Sequence, residues 1–199
     1  IGCNPAGNHP GYDSPNNGSF ANMNFYSANI YNNAVWDVSA RQDSSIVAWS
    51  EQSNSNGALK VTIASRNLIF ANVDASYLFA YIGYAGICTE TETIKNIGAL
   101  YTAGVTNMSS MFSSTGRNAM TSLDLESKFD TSSVTQMTRM FINTGKNAMT
   151  SLDLGDNFDT SNVTDMQRMF MTTGNNAMTS LNLGDKFDTS NVTNMISMF

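Results

Sequence analysis

One phrase written three times at a constant interval constrains this chain more than any other feature. Phe112, Phe141, Phe170 and Phe199 each follow a Met, and each lies 29 residues from the next. Every copy reads TG, two variable residues, AMTSL, Asp or Asn, Leu, three variable residues, FDTS, VT and a closing M-x-x-M-F. A fixed period between 20 and 50 residues marks a solenoid or propeller. One copy is too short to bury its own apolar residues, so the copies must stack and share a core.

Within a copy, Met-x-x-Leu-x-Leu (Met120, Leu123, Leu125 and their equivalents) matches the core of leucine-rich repeats, where a short strand lines one side. Leucines at period 2 point inward and leave Asp124, Asp153 and Asn182 outward. After the turn, Val163, Met166, Met169 and Phe170 form a stripe at helical spacing, with several N-cap candidates in the cluster Asp159 to Asn162, Asn162 and Asp165 placed to favour the positive end of the helix dipole, and Gly145 and Gly174 placed to end the helices. The expected architecture is α/β: a leucine-rich-repeat-like solenoid of short parallel strands and short helices, with a β-rich N-terminal cap.

Boundaries follow from texture. Residues 1–34 hold all three prolines in an Asn/Gly/Pro-rich run and read as an irregular segment. Residues 35–79 read as the cap: SIVAWSEQ and ALKVTIAS flank an Asn-Gly pair, a hairpin signal, and LIFAN at 68–72 is placed to continue the meander. Alternation puts Leu59, Val61 and Ile63 on one buried face. Residues 80–199 read as the solenoid, with 80–112 a divergent copy and 113–141, 142–170 and 171–199 full ones. The divergent copy is recognised by SYLF before it, where Phe79 precedes Phe112 by 33 residues, and by Ile94-x-x-Ile97-x-Ala99 in place of Met120-x-x-Leu123-x-Leu125.

Charge narrows the partners. Only 13% of residues are charged and the net charge is −6, which argues against nucleic acid or an anionic membrane surface. No apolar run is long enough to span a bilayer as a helix. A lone loop histidine, His9, and two distant cysteines, Cys3 and Cys88, supply no catalytic or metal-binding constellation. The chain is therefore expected to be no enzyme, with no cofactor and no metal. Asp130, Asp159 and Asp188 are expected to bond loop amides of their own turns and not calcium, which needs several converging oxygens. The 13 methionines are read as core filler. Three N-x-S/T sequons, at Asn107, Asn162 and Asn191, fall at the expected helix starts and are explained by capping.

FDTSNVTDM followed by M-F, repeated, and preceded by a WDVS...DSSIVAW segment at Trp36 to Trp49, resembles the BspA-like leucine-rich-repeat surface proteins of bacteria, the group carrying the DUF285 repeat. The resemblance spans roughly residues 35–199. It implies a secreted or wall-attached protein that makes adhesive contacts, with no catalytic residue or cofactor to carry over. The copy here is longer than the family's usual unit, through the TG-x-N-AM insert. The Asn that follows the strand in ordinary leucine-rich repeats occurs only as Asn157, with Lys128 and Lys186 in the matching places.

The expected function is binding an extracellular protein or glycan through the sheet face, at Thr121, Ser122 and Asp124, Thr150, Ser151 and Asp153, and Thr179, Ser180 and Asn182. A spacer with no ligand of its own is the alternative, and the threonine ladder raises ice binding as a third reading. Cys3 and Cys88 either form a disulfide closing a long loop or, if Ile-Gly-Cys is the remnant of a lipoprotein signal, Cys3 carries lipid. A lipid or wall anchor outside the chain fits the same picture.

Overall fold

The structure is a computed structural model that describes residues 3–5, 35–37, 46–52, 58–65, 69–84 and 94–199. His9, Cys88 and most of residues 1–34 lie outside the described residues, and with Cys88 the expected Cys3–Cys88 pairing.

The N-terminal part is an antiparallel sheet of four strands, β1 (Cys3–Pro5), β2 (Val35–Asp37), β3 (Ile46–Gln52) and β4 (Ala58–Ser65), in the order β1-β4-β3-β2. The expected hairpin is β3–β4, paired from Ile46↔Ser65 to Gln52↔Leu59. Cys3–Pro5, read from composition as irregular, is an edge strand on β4, and the edge is where a strand proline belongs. Ile63 is 38% exposed, so the alternation in β4 does not mark a buried face there; the Ala48 opposite is too short to cover it.

The third β-prone run does not extend that sheet. Its β5 (Ile69–Phe70) pairs in parallel with β6 (Leu100–Tyr101), and Asp74 bridges to Asn107. Phe79 stacks on Phe112 with centroids 5.4 Å apart. SYLF therefore does stand where an M-x-x-M-F close stands in later copies. In the divergent copy the inward strand is replaced by a 3-10 helix at Ile97–Ala99.

The three full copies lie side by side in register. β7 (Ser122–Asp124), β8 (Ser151–Asp153) and β9 (Ser180–Asn182) form a parallel sheet in which Leu123, Leu152 and Leu181 are direct neighbours. Phe79, Phe112, Phe141, Phe170 and Phe199 form one column at 5.3–5.4 Å. Around it lies a core of fully buried methionines, leucines and Phe129 and Phe158. The methionines fill that core because an unbranched, polarizable side chain adapts to the gaps between rings.

Among the described residues the expected helices are absent: these residues are mostly strands and turns, and the helical stripe is a chain of turns. In the segment after Gln136, alternate N–H groups leave the copy. Met137, Arg139, Phe141 and Asn143 donate to the carbonyls of Asp165, Gln167, Met169 and Met171 at 2.9–3.0 Å, while Met140, Ile142 and Thr144 donate three residues back. No α-helical ladder can form when half its donors are spent on a neighbour. Arg139 and Asn143 take left-handed φ of 59° and 57°, repeated at Arg168 and Thr172 and at Ser110 and Ser114. Such angles cost about 1–2 kcal/mol per residue, offset here by the bonds between copies. The apolar residues still point inward, since three-residue turns and a 3.6-residue helix put Val163, Met166 and Met169 on the same side.

Gly116, Gly145 and Gly174 are left-handed, as expected of the TG pair, but they end no helix: the turns continue past them, with Met120, Met149 and Met178 donating to their carbonyls. Glu126, Gly155 and Gly184 share another left-handed column. A Cβ on Gly155 would stand 2.8 Å from the carbonyl oxygen of Glu126, and one on Gly184 2.7 Å from that of Gly155. Glu126 has no such copy before it, and its side chain occupies the space beside Gly98. The first copy therefore accepts a glutamate where the later two require glycine.

Candidate functional site

Leu123, Leu152 and Leu181 face the core, so their neighbours along each strand face outward. Ser122, Ser151 and Ser180 form one row and Asp124, Asp153 and Asn182 another, while Thr121, Thr150 and Thr179 precede the strands at the same interval. All nine expected binding residues are exposed or half-buried, and the register brings them together on one face.

Much of their hydrogen-bonding capacity is already used. Thr150 Oγ1 donates to the Thr121 carbonyl and Thr179 Oγ1 to the Thr150 carbonyl, each at 3.1 Å. Asp124, Asp153 and Asn182 accept the N–H two residues on, at 2.7, 2.9 and 3.1 Å, and Asn182 Nδ2 donates to Asp153 Oδ1. What remains for a partner is a set of short side chains held in place, with acceptor lone pairs and serine hydroxyls outward.

Beside β7 lies an open cleft lined by Ile94, Asn96, Ile97, Ser122, Asp124 and Glu126. It exists because the 3-10 helix at Ile97–Ala99 stands where a strand would have paired with β7.

The aspartates of FDTS behave as turn-formers. Asp130, Asp159 and Asp188 accept the amide of the serine two residues on at 2.8–2.9 Å. For Asp159, the Ser161 hydroxyl and amide hold the carboxyl below its ordinary value, with a smaller contribution from Lys186. Asp74 is lowered in the same way by Ser76 and Asn107. No group of three or more His, Cys, Asp or Glu side chains converges for a metal among the described residues.

Sequence reasoning missed most of the side-chain ladders that join copies. Buried Thr115, Thr144 and Thr173 donate to the carbonyls of Phe79, Phe112 and Phe141 at 2.6 Å. Buried Thr102, Thr131 and Thr160 donate forward to Asp130, Asp159 and Asp188 at 2.7–2.8 Å. An asparagine ladder runs from Asn176 to Asn147 to Asn118. The signal was identity at the period: a polar residue that never varies is a residue bonded to the adjacent copy, to its own equivalent in the asparagine ladder and to a carbonyl near its equivalent in the threonine ladders.

Parallel strands, bridge columns and side-chain ladders at one interval define a repeat protein whose copies are held together by backbone pairing. The family described as "Mycoplasma protein of unknown function, DUF285" matches residues 85–199, more than half of the sequence, and the chain belongs to it. No curated protein and no solved structure matches the chain. No helix among the described residues is long and apolar enough to cross a membrane.

Proposed function

We propose that the in-register copies build a leucine-rich-repeat-like solenoid of the BspA-like kind, which works at the bacterial cell surface as an adhesion module. Its partner is an extracellular protein or glycan, met by the sheet face, and the chain carries out no catalytic step. The observation that carries this reading is the nine-residue face of Thr121, Ser122, Asp124 and their equivalents. Short side chains already fixed by hydrogen bonds lose little rotamer entropy when a partner docks.

A spacer without a ligand is the second reading, favoured by the same internal bonds, since Thr150, Thr179 and the aspartates spend donors and acceptors on the stack itself. One experiment separates the two. Ser122→Lys and Ser180→Lys leave the aspartate turns intact and place cations on the face. Loss of adhesion to immobilised host matrix by a variant with unchanged circular dichroism supports the binding module. Full adhesion by that variant removes the sheet face as the site, and no adhesion by the parent chain leaves the spacer.

A further inference from the structure

Charge is sorted within each copy. From Met108 to Leu123, Met137 to Leu152 and Met166 to Leu181 there are four cations, Arg117, Arg139, Lys146 and Arg168, and no acid. The remaining parts, 124–136, 153–165 and 182–194, hold nine acids against two lysines. Because the copies lie in register, this sequence pattern becomes a spatial one. The turn segments form a cationic strip along the stack, and the acids gather on the sheet and its loops.

The strip also opens on aromatic rings. Tyr77 and Tyr81 occupy the left-handed turn positions that Arg139 and Asn143 occupy two copies later, and they are 59% and 42% exposed. Arg117 Nη1 donates to the Tyr84 hydroxyl at 2.6 Å, with its guanidinium 5.1 Å from the ring centre. The Nε atoms of Arg117 and Arg168 are buried with no hydrogen-bond partner among the described residues. Arg139 and Arg168 sit at equivalent positions of adjacent copies, two residues before Phe141 and Phe170, whose rings are 5.4 Å apart. Stacking places like charges side by side, an arrangement that a shared anion relieves. Two carboxylates border the strip, Asp74 and Asp165. Each accepts an amide in its own turn and an Asn107 or Asn194 side chain from the next copy.

We infer that this turn face binds an anionic polysaccharide, with Arg139, Lys146 and Arg168 meeting its sulfate or carboxylate groups and Tyr77 and Tyr81 offering ring faces to its sugars. Guanidinium groups suit such anions because they donate in a planar fork. The net charge of −6 does not oppose this, since the acids of the copies other than the bordering Asp165 lie on the sheet and its loops, and a polymer reads the local field. This site is separate from the sheet face and does not depend on it.

The test uses the full chain with heparin fragments as probe, a neutral dextran and a single-stranded oligonucleotide of matched charge as comparators. Heparin should bind, with affinity falling as salt rises. Arg139→Gln with Lys146→Gln, which spares the partly buried Arg168, should weaken binding about tenfold and lower the salt slope by about one to two. Tyr77→Ala with Tyr81→Ala should weaken heparin binding and leave elution from a sulfopropyl matrix unchanged. Unaltered heparin affinity in the arginine–lysine variant, or tighter binding of the oligonucleotide, overturns the proposal. So does low-salt self-association of the parent chain that the same variant abolishes, with no heparin binding in either. Retention of the variant's circular dichroism keeps a folding defect from imitating the expected result.

Discussion

The ring of Phe141 lies parallel to that of Phe112, with planes within 1° and centroids 5.3 Å apart, and it meets Phe170 on its other side at 5.4 Å. This residue is fully buried, and its aromatic partners Phe112, Phe158 and Phe170 all belong to neighbouring copies. Phe141→Ala should lower unfolding free energy by about 3–5 kcal/mol, read as a fall in the urea midpoint. Phe199→Ala, at a 69% exposed position of the same column, should cost much less. Equal losses at the two positions would mean that the column is not a shared core.

The two glycines Gly104 and Gly155 separate two costs. Both have positive φ, +88° and +76°, but a Cβ on Gly104 meets open space and one on Gly155 meets the Glu126 carbonyl oxygen. Gly104→Ala should cost about 1–2 kcal/mol, the left-handed backbone alone. Gly155→Ala should cost clearly more, because two adjacent copies must move apart. Thermal melts of the pair decide it.

Buried and exposed threonines should respond differently to the same substitution. Thr144 Oγ1 donates to the Phe112 carbonyl inside the core, whereas Thr150 Oγ1 donates to Thr121 at the surface. Thr144→Val should cost about 1–2 kcal/mol and Thr150→Val less than about 1, since water replaces the lost bond only at the second site. Reversed magnitudes in a urea titration would show that the hydroxyl ladders are not load carriers of the stack.

Acid should weaken the turn that Asp159 holds. The Asp159 carboxyl is lowered below its ordinary value of 3.8 by bonds from Ser161. A depressed folded value means that the charged form is the one folding favours. The contribution is complete above the ordinary value and fades as pH falls through the folded one. The group is largely open to solvent, so the effect should be small. Asp159→Asn should flatten the acid limb of stability against pH below about pH 4 while changing little at neutral pH.

Strand register and the phenylalanine column were legible because period and identity act together: Leu123, Leu152 and Leu181 could only be neighbours if copies of equal length lie in parallel. The outward rows at Ser122 and Asp124 followed from strand alternation alone. The turn chain was not legible. Val163, Met166 and Met169 at intervals of three satisfy a helix and a run of three-residue turns equally. The left-handed angles that decide between them fall on Arg139, Arg168 and Thr172, residue types that carry no such signal, and only Asn143 among their equivalents is of a type that favours them. The parallel pairing of β5 with β6 was hidden for a related reason. An isolated β-prone run beside a hairpin says nothing about which sheet it joins. The charge sorting behind the cationic strip was present in the letters throughout, but only the register turned it into a surface.

Because Met137, Arg139, Phe141 and Asn143 each give their amide to the following copy, the turn chains of adjacent copies must match residue for residue. A gene for such a chain can lengthen or shorten by one 29-residue unit through unequal recombination between its near-identical segments, and every column closes again. Loss of a single codon in the turn chain shifts the amide donors and the threonine hydroxyls out of step with the next copy at once. The lengths open to the turn chain are therefore discrete, whereas the 33-residue interval from Phe79 to Phe112 leaves the column intact.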